Sequence, residues 1–157
     1  MTEKLKLSAF LPYRLSVLSN RISRAIADSY EDRFDLTLPE WRVMAVLGDS
    51  PNLSAREVAD RTAMDKVMVS RAVARLIAAG RVTRRTDSAD RRRSILALSE
   101  AGHQIYAGVA PMALGYEKAL LAQLSAEDQA ALDRVLAKLE AISVEDLERM
   151  PATAAAE

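Results

Sequence analysis

The chain has no cysteine, a single histidine and a single tryptophan, and only 4% of its residues are aromatic. Without cysteine there is no disulfide, no cysteine-ligated zinc and no thiol to sense oxidants. The lone His103 leaves no histidine pair at metal-ligand spacing. No apolar run reaches the 18 or so residues of a membrane helix, and the opening MTEKLKLSAF lacks the apolar core of a secretory signal. A cytoplasmic chain with no membrane partner is expected. A phosphate loop, a glycine-rich dinucleotide turn and a nucleophile elbow are all missing. No enzyme activity, cofactor or metal is therefore expected. Net charge is also missing, because 22 basic residues balance 22 acidic ones.

That balance hides a strong asymmetry. Residues 56–93 hold 11 basic and 5 acidic side chains, residues 1–55 hold 7 of each, and residues 94–157 hold 4 basic and 10 acidic. A basic module is thus fused to an acidic remainder, and local rather than net charge decides phosphate binding. The 157 residues, half of them hydrophobic, suffice for one globular domain with a sizeable core.

The basic module has a recognisable plan. Ser54-Ala-Arg-Glu57 spells a capping box with Leu53 and Val58 as its staple, so a helix is expected from Ala55 to about Arg61. Thr62-Ala63-Met64 makes a turn. A second helix then buries Val69, Ala72, Val73 and Leu76, which follow the i, i+3, i+4 pattern, and faces Val67, Ser70, Arg71, Ala74, Arg75 and Ala78 outward. Gly80 sits where a left-handed cap belongs. Two strand-like runs follow, Val82–Thr86 and Ser94–Leu98, joined by DSADRRR. Helix, short turn, helix and basic hairpin make a winged helix-turn-helix, whose second helix enters the major groove of double-stranded DNA.

The flanks are helical. Pro12 suits a first helical turn, and Leu15, Leu18, Ile22, Ala25, Ile26 and Ser29 form a stripe that predicts one helix to about Phe34. Thr37 and Glu40 form a second capping box, opening a helix buried through Val43, Met44, Val46 and Leu47. Ser99 caps a long helix from Glu100 to about Gln123 that contains Pro111. Ser125-Ala-Glu-Asp128 starts the last helix, with Leu132, Val135, Leu136, Leu139 and Ile142 as its buried face. Apolar helix faces at both ends exceed what a small winged domain covers, which suggests a homodimer; an intramolecular bundle is the alternative.

MDKVMVSRAVARLIAAGRVTR, then Asp90-Arg91-Arg92, then Leu98-Ser99-Glu100-Ala101-Gly102 resembles the MarR (multiple antibiotic resistance regulator) family of transcription factors. Its pattern is a recognition helix with a central V-S-R, a D-x-R wing and a closing L-T-x-x-G. Ser99 replaces the usual threonine and keeps the hydroxyl. The resemblance runs from about Phe10 to about Ile142. It implies a single MarR-like domain (1–157) that is mostly α with a small β-wing. Residues 37–98 would be the DNA-binding region, and residues 10–34 and 100–145 the dimerisation helices. It also implies a sequence-specific regulator, a ligand-released repressor acting as a homodimer on a palindromic operator. An architectural DNA binder without effector is the alternative.

Several side chains are candidates to touch DNA. Arg71 and Arg75 offer bidentate forks to guanine or clamps to phosphate. Ser70 lets the helix approach, and Val67 suits a thymine methyl. Asp65 and Lys66 lie at the helix N-terminus, where the dipole favours phosphate. Ser54 and Arg56 open the first helix and face backbone, while Arg84 and Arg85 at the wing base are weaker candidates. The family pattern points Arg92 into the minor groove with Asp90 orienting it, and leaves Arg91 and Arg93 for phosphates. For an effector, the family implies a pocket between the dimer helices and the winged domain. Tyr13, Arg14, Asn20, Arg21, Trp41 and Arg42 supply aromatic and cationic groups there, with His103 as a ligand neighbour. Trp41 equally fits the core and the arginines local ion pairs. LPYRLSVLSNRISRAIADSY with LPEWRVMAVLG is similar to a subgroup that controls breakdown of plant-derived aromatic acids. That likeness implies a hydroxycinnamate or its coenzyme A thioester as effector.

Overall fold

The computed structural model describes residues 4–88 and 93–150. A 3-10 turn at Leu7–Ala9 precedes α1 (Leu11–Ala27), α2 (Glu31–Phe34), α3 (Leu38–Asp49), α4 (Ala55–Thr62) and α5 (Lys66–Ala78). The hairpin β1 (Val82–Thr86) and β2 (Ser94–Leu98) follows, then α6 (Glu100–Leu121), α7 (Ala126–Glu140) and α8 (Val144–Arg149). The fold is mostly α with a small antiparallel sheet, as expected. It divides into two compact units: residues 16–115, and the described residues up to Leu15 together with those from Tyr116. Among the described residues no helix is long and apolar enough to cross a membrane.

In the first unit α3 packs against α5 and α4. Val43, Met44 and Leu47 of α3, Val58 of α4 and Val69, Ala72, Val73 and Leu76 of α5 are buried together with Tyr30, Leu36, Leu96 and Val109. The four α5 residues are those the 3.6 periodicity predicts. Full burial of a valine or leucine side chain such as Val69, Val73 or Leu76 is worth about 1.5–3 kcal/mol. Gly80 has φ +69, and the helix closes through Arg81 N–H to Leu76 O (2.8 Å) and Gly80 N–H to Ile77 O (2.9 Å). That pair of bonds is a Schellman cap, which turns the chain directly into β1.

The strands pair in the register Val82↔Leu98 to Thr86↔Ser94, and their ranges are those read from the sequence. Leu53, expected only as a staple, also pairs with β2: Leu96 N–H donates to Leu53 O at 2.7 Å. Ser99 caps α6, its hydroxyl accepting from Gly102 N–H at 3.0 Å and donating to Gly80 O at 2.6 Å. This ties the end of the wing to the end of the recognition helix.

Three expectations need correction. The first helix does not run to Phe34. It ends at Ala27, Ser29 donates its hydroxyl to Ile26 O at 2.6 Å, and Tyr30 N–H bonds Ala27 O, so the chain turns before α2. Asp28 and Ser29 compete poorly as helix formers, and the turn lets Tyr30 bury its ring completely. The last long helix, expected to be buried along one face, has no buried face among the described residues: Leu132, Val135, Leu136 and Leu139 are 38–50% exposed. Nor is it the last helix. Ser143 caps α8, accepting from Asp146 N–H at 3.0 Å, by the same Ser-x-x-Asp device that opens α7.

Gly102 marks the tightest approach. A Cβ there would lie 2.0 Å from the backbone carbonyl of Arg81, which accepts Ser99 N–H at 3.0 Å. Gly102→Ala should therefore cost about 1–3 kcal/mol, seen as a fall of several degrees in Tm by calorimetry. An unchanged Tm would refute this tight contact.

Candidate nucleic-acid interface and adjoining groove

The helix-turn-helix is set by its two caps. At the start of α4, Glu57 accepts both Ser54 N–H and Ser54 Oγ–H at 2.7 Å. Thr62 ends the helix, one residue beyond expectation, and Ala63 takes a left-handed conformation (φ 52). Thr62 Oγ1 donates to Val58 O at 2.8 Å inside the bend. Asp65 then caps α5, its carboxylate accepting Met68 N–H at 2.8 Å. Asp65 is thus engaged in starting the recognition helix, and the Ser54 hydroxyl in closing the capping box.

The exposed face of α5 presents Lys66, Val67, Ser70, Arg71, Ala74 and Arg75. Arg71 has no ion pair among the described residues. Arg75 does: its Nε lies 3.0 Å from Oε1 of Glu40, a side chain only 6% exposed. Arg56, Lys66 and Arg84 line a depression of about 240 Å³ together with Ser70, Ala59, Val69 and Val73. None of these three cations has an ion pair among the described residues, so the cationic rim faces outward.

The wing is anchored at its base. Arg93 Nη2 lies 2.6 Å from Glu57 Oε2, the oxygen that closes the α4 capping box, and Arg93 Nη1 lies 4.0 Å from Asp87. Arg85 Nη2 donates to Asn52 Oδ1 at 2.9 Å. Arg93, expected at phosphate, here clamps β2 to α4. The Ser54 amide, its hydroxyl and then Arg93 hold the Glu57 carboxyl down at about 2. Asp90, Arg91 and Arg92 lie outside the described residues.

Behind the helix-turn-helix lies an open groove of about 470 Å³. Ser16, Ser19 and Asn20 of α1, Trp41, Arg42, Ala45 and Val46 of α3, and Arg61, Thr62 and Ala63 at the end of α4 line it. No acidic side chain is among these lining residues. Trp41 stands between Tyr30 and Tyr106, with both centroids at 5.8 Å, so it is at once core-packed and groove-facing. Burial pushes the Tyr30 phenol up to about 12. Arg42 Nη2 donates to Ser23 Oγ at 3.3 Å. Of the expected effector residues, the groove gathers Trp41, Arg42 and Asn20. Arg21 and His103 are exposed and do not line it, and Tyr13 and Arg14 belong to the other compact unit. Sequence reasoning missed Ser16, Ser19 and Arg61. The i, i+3, i+4 spacing of Ser16, Ser19 and Asn20 was the available signal for a polar helix stripe.

The MarR family profile matches residues 34–93. Transcriptional regulator HosA of Escherichia coli O157:H7 is 30% identical over 105 residues, 67% of this chain and 78% of that protein. The chain belongs to the MarR family. The crystal structure of a MarR/EmrR family transcriptional regulator from Acinetobacter sp. ADP1 superposes with TM-score 0.80 at 24% identity, covering 93% of this chain and all of that one. BpsR of Bordetella bronchiseptica, whose DNA binding is regulated by 6-hydroxynicotinic acid, superposes with TM-score 0.76 at 22% identity over 90% of this chain and 100% of its own. As a MarR family member the chain is a transcriptional regulator with a DNA-binding winged helix.

The Glu57 clamp makes a pH prediction. Its carboxyl drops from 4.5 unfolded to about 2 folded, so its contribution to stability is complete above pH 4.5 and fades as pH falls toward 2. Glu57→Gln should lower Tm at neutral pH, and the gap from the parent should close across that acid window in melts followed by circular dichroism. A gap independent of pH would refute the clamp.

Proposed function

We propose that this MarR family regulator is a homodimeric, cytoplasmic repressor that binds a palindromic operator and leaves it when an aromatic carboxylic acid, free or as its coenzyme A thioester, fills the groove. The groove carries this reading. Trp41 offers an aromatic wall, Arg42 and Arg61 offer two guanidinium groups, and Thr62 and Ala63 are the bend between the two DNA-reading helices. A carboxylate wants one cation and a coenzyme A tail wants several. A ligand at that bend has the differential contacts needed to favour a half-site geometry unfit for DNA. That BpsR responds to an aromatic acid is in keeping with this choice.

In this reading the 37–98 region binds DNA. Arg71 reads a guanine edge, Arg56, Lys66 and Arg84 meet phosphates, Arg92 enters the minor groove with Asp90 beside it, and Arg91 meets phosphate. The helices of 10–34 and 100–145 join two copies, and the exposed Leu132, Val135, Leu136 and Leu139 support that role.

Two experiments test it. Arg71→Ala should weaken binding to a duplex selected from random DNA by about 1–3 kcal/mol and relax one base position; unchanged affinity and selectivity would remove Arg71 from the reading face. Arg42→Gln and Arg61→Gln should each raise, by about tenfold or more, the concentration of a hydroxycinnamate or its thioester needed to release the preformed complex, while leaving DNA affinity alone. Release by neither compound from the parent protein would discard the aromatic-acid effector.

A further inference from the structure

Glu40 is buried where a capping glutamate has no need to be. Glu57 performs the same helix-capping duty with its side chain 41% exposed, against 6% for Glu40. Glu40 uses one oxygen for the cap, Oε2 accepting Thr37 N–H at 2.7 Å and Thr37 Oγ1–H at 2.6 Å. The other oxygen, Oε1, is the one that meets Arg75 Nε at 3.0 Å. A carboxylate removed from water is costly unless paired and hydrogen-bonded, so the burial of Glu40 makes the Arg75 contact an obligation of the fold.

The consequence falls on Arg75. It stands one helical turn after Arg71 and is itself 66% exposed. The ion pair is made through Nε, and neither terminal Nη group has a hydrogen-bond partner among the described residues, which leaves both for an outside partner. Arg71, Arg75, Val67, Met68, Thr37 and Pro39 line one depression of about 250 Å³, so the start of α3 borders the outer face of the recognition helix. A guanidinium is planar, with donors on more than one edge; with its Nε side drawn to the Glu40 carboxylate by the ion pair, its Nη edge is left for another partner.

Resting on the assignment of α5 as the DNA-reading helix, we propose that Glu40 is a positioning residue for DNA binding. It sets the guanidinium plane of Arg75 so that the Nη pair clamps a DNA phosphate beside the base read by Arg71, while Glu40 itself never meets DNA. Arginine is required at position 75, because a lysine ammonium, as a single point, does not grip a carboxylate along one edge and a phosphate along another.

The test uses the full chain and a duplex selected by the parent protein, with Glu40→Gln, Arg75→Gln, Arg75→Lys and the double Glu40→Gln/Arg75→Gln. Arg75→Gln should reduce affinity about tenfold per half-site and flatten the plot of log K against log salt by about 0.9 for each phosphate left without its cation. Arg75→Lys should lose nearly as much affinity although it keeps the charge. Glu40→Gln should weaken binding several-fold in the parent and not at all once Arg75 is already replaced. A merely structural Glu40 would instead lower Tm and cost the same affinity in both backgrounds, and that result overturns the proposal. Should Glu40→Gln fail to fold, full affinity in Arg75→Lys, or an unchanged salt slope in Arg75→Gln, overturns it equally. If the parent selects no duplex, or Arg71→Ala is silent as well, the DNA-reading assignment of α5 falls and this proposal with it.

Discussion

Two carboxylates each hold a helix start and, at the same time, an arginine from a different element. Glu40 closes the cap of α3 and takes Arg75 of α5; Glu57 closes the cap of α4 and takes Arg93 at the root of β2. A capping box alone is local and satisfies two orphan amides within a single turn of helix. Here it also fixes how separate elements meet. The recognition helix is tied to α3 on one side, and the wing is tied to α4 on the other. The Arg93–Glu57 joint is a charge-assisted hydrogen bond, the stronger kind, the Arg75–Glu40 joint is an ion pair, and both sit at helix N-termini, where a negative group is already favoured. Two negative side chains thus stand at the joints of the basic surface, one at the recognition helix and one at the wing.

This arrangement sorts the arginines. A basic module looks uniform in composition, yet its cations hold different posts. Arg81 donates to the carbonyls of Asp35 and Phe34, both at 2.7 Å, and so braces the turn after α5 against the end of α2. Arg93 is anchored, Arg85 is bound to Asn52, and Arg75 is ion-paired through Nε with Glu40. Arg71, Arg56, Lys66 and Arg84 stay uncommitted among the described residues. Electrostatic attraction toward a polyanion belongs to all of them, whereas the four uncommitted side chains can turn toward it without breaking a contact among the described residues.

Much of this is legible in the residues. The periodicity of α5, the Gly80 cap, both capping boxes and both strand ranges follow local rules, and local rules are what a sequence displays. The helix break at Asp28–Ser29 is less visible because a longer apolar stripe runs straight through it; what decides the break is the tertiary burial of Tyr30. The α7 stripe is legible as apolar but not as uncovered within one chain, since periodicity reports a face and not what lies against it. The groove is half legible. Trp41 and Arg42 stand out by type, while Ser16, Ser19 and Arg61 converge only because α1, α3 and α4 meet in space. The partners of Arg75 and Arg93, 35 and 36 positions away, have no signature in the sequence at all.

The small sheet has a further consequence. β2 is paired on both sides, by β1 and by Leu53, so the outer side of β1 is its one open edge among the described strands. An open edge invites a strand from another molecule, and stacking of that kind leads to aggregates. The edge reads Val-Thr-Arg-Arg-Thr, with every residue after Val82 exposed. Two copies approaching edge to edge would bring arginines against arginines. The charges that suit the wing to a polyanion therefore also keep it from pairing with its own kind.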